Sequence, residues 1–184
     1  MEELAAAVEA CRRCGLCEAR HHPAVGEGNP HADIMFIGEG PGHEEDMQGR
    51  PFVGPAGQLL DKMMASIGLA RNDVYIANIV KCRPPGNRNP SPQEATACMP
   101  YLRRQYLEIQ PKILVLLGAV ASRQLIDPGF SITKEHGNWF RLGNTLVLPT
   151  FHPAALLRDP SKKADSWEDL KKLQAKYQSM KEQI

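Results

Sequence analysis

Two runs constrain the fold of this chain more than anything else in it: Asp33-Ile-Met-Phe-Ile-Gly38 and Lys112-Ile-Leu-Val-Leu-Leu-Gly118, each continuously apolar and each closed by glycine. A strand with one wet face alternates apolar and polar residues. A run without alternation is buried on both faces, as in a parallel sheet covered by helices. Val74 to Val80 and Thr145 to Pro149 supply two further strands. Between them, Leu59, Leu60, Met63, Met64 and Ile67 fall at amphipathic-helix spacing within Gly57 to Ile67, closed by Gly68. Another helix starts near Ser91 or Pro92, and a third spans Ala119 to Ile126. Strands alternating with helices predict an α/β fold, a three-layer αβα sandwich around a central four-stranded, mostly parallel sheet. Its functional groups should gather at the C-terminal strand ends. A short helix over residues 2–10 and a surface helix over residues 161–181 flank this core. No linker or composition shift divides the chain, so residues 1–184 are expected to form one domain.

The apolar run from Ile113 to Leu117 is far too short to span a bilayer, and the acidic N-terminus Met-Glu-Glu-Leu carries no long apolar run. A cytoplasmic protein with no membrane partner is expected. Five cysteines in a reducing compartment point to metal or catalytic chemistry rather than disulfides. Cys11 and Cys14 stand two residues apart ahead of any strand, Cys82 follows the second strand, and Cys98 lies on the next helix. Four thiolates suit tetrahedral zinc or an iron–sulfur cluster, and spacing leaves both open, with inert burial a third reading for the distant pair. Cys17 is a fifth, spare cysteine.

Three more constellations sit at predicted strand ends. Gly38-Glu-Gly-Pro-Gly42 follows the first strand, with His43-Glu-Glu-Asp46 and Gly49-Arg-Pro-Phe-Val-Gly54 close behind. Glycines there let backbone N–H groups approach a ligand, and a carboxylate can position water, although a glycine turn with solvated acids would look the same. The loop lacks the spacing of a dinucleotide fingerprint or a phosphate loop. His152, in Thr150-Phe-His-Pro153 after the fourth strand, faces the same sheet edge as Glu39, where imidazole could stabilise a developing anion or serve a purely structural bond. Asn78, near the end of the second strand, carries one donor and one acceptor for a base edge, or is a satisfied core amide.

Together these residues resemble family 4 uracil-DNA glycosylases, the iron–sulfur branch of the uracil-DNA glycosylase superfamily, over about residues 8–160. The resemblance rests on Gly38 to Gly42, Gly49 to Gly54, Asn78-Ile-Val-Lys-Cys-Arg-Pro-Pro85 with Asn87-Arg88, and His152-Pro153 with Leu157-Arg158. It implies a monofunctional DNA-repair hydrolase that flips uracil out of single- or double-stranded DNA, releases free uracil, leaves an abasic site and works as a monomer. By the resemblance, Phe52 stacks on the flipped base, Asn78 reads its Watson–Crick edge and Gly40 offers backbone contacts. Glu39 and Glu45 match carboxylates of the catalytic loop, one of which orients the attacking water, and His152 matches the histidine that stabilises the departing uracil anion. It also assigns Cys11, Cys14, Cys82 and Cys98 to a 4Fe-4S cluster, with Cys17 left over.

Most members carry an acidic residue at the position of His43 and serine at that of Ala154. A sister group traps uracil-DNA covalently through a histidine in a basic insertion. The corresponding 15 residues here, Arg83 to Ala97, contain no histidine and no basic run, which favours turnover. Two rivals lie outside the family: a non-enzymatic iron–sulfur DNA-binding module, which would need neither Glu39 nor His152, and a zinc-stabilised phosphate-ester hydrolase, which would need close His/Asp pairs absent here. With a net charge of only +1, DNA contact must be local, and Arg83, Arg88, Arg158, Lys162 and Lys163 flank the motif loops.

Overall fold

The computed structural model describes residues 1–182. Among them, the strands are β1 (Glu27–Gly28), β2 (Ile34–Gly38), β3 (Tyr75–Asn78), β4 (Ile113–Leu117), β5 (Phe140–Leu142) and β6 (Thr145–Thr150). The helices are α1 (Glu2–Glu9), α2 (Leu16–Ala19), α3 (His43–Gln48), α4 (Pro55–Ser66), α5 (Pro92–Ile109), α6 (Ala119–Leu125), α7 (Ile132–Glu135), α8 (Pro153–Arg158) and α9 (Lys163–Lys181). The strands form one sheet in the order β1-β3-β2-β4-β6-β5. The four expected strands are its inner ones, and all pair in parallel. The expected count of four falls short by two, because β1 and β5 add antiparallel edges. Those edges are two and three residues long and partly exposed, too short to carry a periodicity that sequence could reveal.

Every residue of β2 and β4 is buried, as their unbroken apolar runs require. Successive residues feed opposite layers. Ile34 and Phe36 pack with Leu60 and Met64 of α4, Leu156 of α8 and Leu170 of α9. Met35 and Ile37 pack with Leu16 of α2, Leu102 of α5 and Ala121 of α6. Each such large apolar side chain contributes about 1.5–3 kcal/mol on burial.

Helix starts follow local chemistry. The Ser91 hydroxyl accepts from the Glu94 N–H at 3.2 Å while the Glu94 carboxylate accepts from the Ser91 N–H at 2.7 Å, so α5 begins on a reciprocal cap with Pro92 in its first turn. α4 starts at Pro55, two residues before the expected Gly57, since proline's fixed φ suits a first turn. The parallel strands end side by side at Gly38, Asn78, Leu117 and Thr150, and the loops leaving them carry nearly all the residues singled out by sequence.

Candidate active site and cysteine recess

A cleft of about 740 Å³ opens at these strand ends, within the ~300–1,000 Å³ range of small-ligand pockets. Glu39, Gly40, Glu45, Phe52, Asn78 and His152 all line it. Gly38, at the end of β2, lies beneath two of them: a Cβ there would sit 2.4 Å from the Phe52 ring and 2.5 Å from Asn78 Oδ1. Gly40 is pressed against Val80, whose Cγ2 would be 2.7 Å from an added Cβ. The glycines at this edge make room for the side chains around them.

Asn78 is buried, and its Oδ1 has no partner among the described residues. A buried amide oxygen left unpaired costs free energy that an incoming N–H donor would recover. Phe52 is buried beside it with φ of 53°, a left-handed conformation unusual for a bulky residue. Arg71 holds it there, donating to the Phe52 carbonyl at 2.9 Å and to the Pro51 carbonyl at 2.7 Å while pairing with Glu27 and Asp61. On the other side the Phe52 backbone leaves no space for a side chain at Gly57.

The two glutamates are not equivalent. Glu45 Oε1 accepts from the N–H groups of Val53 and Gly54, both at 2.9 Å, and its Oε2 accepts from Gly42 N–H at 3.1 Å. Its carboxylate is a buried tie between the two motif loops. Glu39 makes no such bonds, and burial raises its carboxyl above the ordinary range against the opposing pull of Arg158.

His152 caps α8, its Nδ1 accepting from the Ala154 N–H at 3.1 Å. The ring proton therefore sits on Nε2. Burial, with the Arg158 charge adding to it, lowers this imidazole to about 4, so it is a neutral N–H donor at neutral pH. Its ring lies 5.6 Å from that of Phe52 at 29°. Gly118, with φ of 89°, leaves room for His152, whose Cβ would lie 2.9 Å from an added Cβ.

Of the basic residues expected to meet DNA, Arg88 and Arg158 line the cleft. Arg88 is neutralised by a two-point pair with Glu94 at 2.7 and 2.8 Å, and Arg83 bonds Asn87 and His43. Lys162 pairs with Asp159 at 3.4 Å, while Arg158 and Lys163 stay exposed.

A second concavity lies away from the cleft, on the α5 side of the sheet. Cys11, Cys14, Cys17, Cys82 and Cys98 all line it, with Arg20, Lys81 and Tyr101. Among the described residues, no three metal-binding side chains close tightly enough on one point to hold a single ion. The Arg20 guanidinium donates to Cys82 Sγ at 3.1 Å and to the Glu9 carbonyl, and the Lys81 N–H donates to Cys98 Sγ at 3.3 Å. Burial pushes the Cys98 thiol up to about 11 and raises Cys82 as well. His21 and its N–H bond the buried Asp46 at 2.7 and 3.0 Å, anchoring the segment after the cysteines to α3.

Neither Arg71 nor Lys81 was singled out by sequence. A basic residue in a polar stretch or after a strand reads as surface, and only the fold shows that one pins Phe52 and the other is buried.

The model of the uracil DNA glycosylase superfamily matches residues 25–171. The chain is 49% identical over 165 residues to a type-4 uracil-DNA glycosylase of Thermotoga maritima, covering 88% of this chain and 85% of that protein. It is 45% identical over 182 residues to one of Sulfurisphaera tokodaii (94% and 83% covered) and 41% over 181 residues to one of Archaeoglobus fulgidus (94% and 91% covered).

Proposed function

The chain belongs to the uracil DNA glycosylase superfamily, and from that premise we infer that it is a DNA-repair glycosylase that excises uracil and leaves an abasic site. A base inside a duplex is inaccessible, so it must be extruded into the cleft at a cost of a few kcal/mol in stacking and pairing. Stacking on Phe52 offsets part of that cost. The orphaned Asn78 Oδ1 accepts from uracil N3–H and the amide N–H donates to O4. Cytosine presents the opposite pattern at both atoms and leaves the buried amide mismatched. Gly40 brings its backbone alongside the base.

As the glycosidic C–N bond breaks, its electron pair leaves on the uracil ring and positive charge builds on the sugar. The neutral His152 Nε2–H donates to uracil O2, where the charge collects. Glu39, the carboxylate left free of internal bonds, orients the water and takes its proton as the oxygen bonds to the sugar carbon. Glu45 holds the loop that presents Glu39 and Phe52. The observation that carries this reading is the Ala154 N–H bond to His152 Nδ1 at 3.1 Å, which leaves Nε2 as the ring's donor on a residue lining the cleft.

The cysteine recess suits a 4Fe-4S cluster. The donors are all sulfur, they surround a common space without converging on one ion's position, and Arg20 and backbone N–H groups already face the sulfurs. Cys11, Cys14, Cys82 and Cys98 would hold it, with Cys17 in reserve. When bound, the cluster supplies a thiolate-held anchor joining the N-terminal segment to β3 and α5. One chain furnishes every group, which fits a monomer that releases free uracil. No described helix is long and apolar enough to cross a membrane, and unpaired cysteines suit the cytoplasm. The test is incubation with single- and double-stranded oligonucleotides carrying one uracil, followed by alkali. Cleavage at uracil, and none at cytosine or thymine, supports the reading. Intact strands reject it.

A further inference from the structure

Asp169 is buried, although it stands on a helix whose charged sequence reads as surface. Leu170 and Leu173 account for the burial: they share the core layer of Leu156 and seat α9 against the sheet. At the end of β6, Asp169 Oδ2 accepts from the Thr150 hydroxyl at 2.7 Å and lies 2.9 Å from His136 Nδ1. Thr150 is the last residue of that strand and is itself fully buried. Gly137, with φ of 69°, admits the carboxylate, since a Cβ there would collide with Asp169 Oδ1, an atom with no partner among the described residues. The Lys172 ammonium donates to the Gly137 carbonyl at 3.0 Å, and the Gly137 N–H to the Pro149 carbonyl at 2.8 Å. A carboxylate taken out of water with one oxygen bare costs free energy that a neutral side chain would not. What it gains is position. Thr150 is bonded to it directly, and the Phe151 ring packs on the ring of the His136 it holds, with centroids 4.6 Å apart. His152 is the next residue, at the head of α8.

We propose that Asp169 is the positioning residue for His152, fixing the two residues ahead of it so that the imidazole meets the departing uracil at a set distance and angle. This rests on the reading of His152 as the donor to uracil O2. Asp169 is not among the residues lining the cleft, so it acts through the backbone it holds. His152 needs that hold because α8, which it caps, is only six residues long. The Thr150 carbonyl is fixed by the Gly118 N–H at 2.8 Å, and Asp169 fixes the Thr150 side chain. Displacing a reacting group by roughly 1 Å can forfeit much of the rate it supports, and an anion-stabilising donor is such a group.

The test is a double-mutant cycle on single-turnover excision of uracil from an oligonucleotide. Thr150→Val removes the hydroxyl and keeps the branched shape, whereas Thr150→Ser keeps the hydroxyl. Asp169→Asn removes the charge at nearly the same volume and probes the same contact should Thr150→Val not accumulate folded. Thr150→Val and Asp169→Asn should each slow excision about tenfold, the worth of one hydrogen bond to a charged group, with affinity for uracil-DNA unchanged. Thr150→Ser should excise at close to the wild-type rate. In a His152→Ala background neither substitution should slow the residual rate by more than about twofold, because the donor they aim is gone. The same tenfold loss in that background would overturn the proposal, since it would mark a cleft loosened as a whole. So would a wild-type rate in both variants, or a Thr150→Ser as slow as Thr150→Val, which would mark lost packing. Uracil left in place by wild type, or released at full rate by His152→Ala, would bring down the reading of His152 itself, an outcome seen before Thr150 or Asp169 is touched.

Discussion

The cleft and the cysteine recess are built from adjacent stretches of one segment, Asn78 to Cys82, but by opposite rules. The cleft holds its polar groups underused: Asn78 Oδ1 unpaired, Glu39 without internal bonds, His152 with its Nε2–H to spare. The recess gathers five cysteines, with the Arg20 guanidinium donating to Cys82 Sγ and the Lys81 backbone N–H to Cys98 Sγ. Polar groups left underused at the wall of an open cleft suit a guest that comes and goes. Sulfurs drawn from three separate stretches of chain around one recess suit a permanent resident, which in the proposed function is the cluster.

The largest effect should come from removing that resident. Cys98→Ser should lose iron and lower the thermal midpoint sharply, because binding free energy at a structural metal site is folding free energy. Cys17→Ser should keep both, and equal iron loss in the two variants would erase the distinction between ligand and spare. Next comes the transient site. His152→Ala should slow single-turnover excision by roughly 10²–10³-fold with uracil-DNA affinity and iron content unchanged, since it removes one donor to a developing anion. Coupled loss of iron would show that the two regions are not separable.

The pH profile sharpens the division within the cleft. Glu39 must be ionised to accept a proton, and burial raises its pKa, so the rate should fall with acid while the pH is still above the usual carboxylate value. His152 stays neutral down to about 4 and should not set this limb. In Glu39→Gln the residual rate should lose the higher limb and fall only near pH 4, where protonation of His152 displaces the Ala154 N–H. An unmoved limb would assign the water to another group. The smallest effect should be that of Arg71→Met, which frees the Pro51 and Phe52 carbonyls from their clamp. It should weaken uracil-DNA binding by about tenfold, the worth of roughly one charge-assisted hydrogen bond, and leave the iron untouched.

The inner sheet was legible because burial on both faces forbids polar residues in β2 and β4, and that prohibition is written into the chain. The edge strands escaped because two or three half-exposed residues obey no such rule. Glu39 and Glu45 could not be told apart in advance, since the difference lies in backbone N–H groups that reach Glu45 from eight and nine residues downstream. Phe52 was named as a stacking residue, but its left-handed backbone depends on Arg71, 19 residues away. Lys81 stayed hidden because nothing local announces that a lysine after a strand will be sealed beneath a helix.

The strand order also bears on synthesis. β1, β3 and β2 occupy one half of the sheet, and β4, β6 and β5 extend it outward from β2 on the other side. All five cysteines precede β4, whereas His152 follows β6. A nascent chain that has just exposed Cys98 already contains all five cysteines but presents the edge of β2 that will meet β4 with nothing beside it. Domains made N-terminal first are vulnerable at such edges. On the proposed function, iron delivered at that stage would lock the finished half while the ribosome supplies the other, so the timing of its arrival would bear on how many chains reach the folded state.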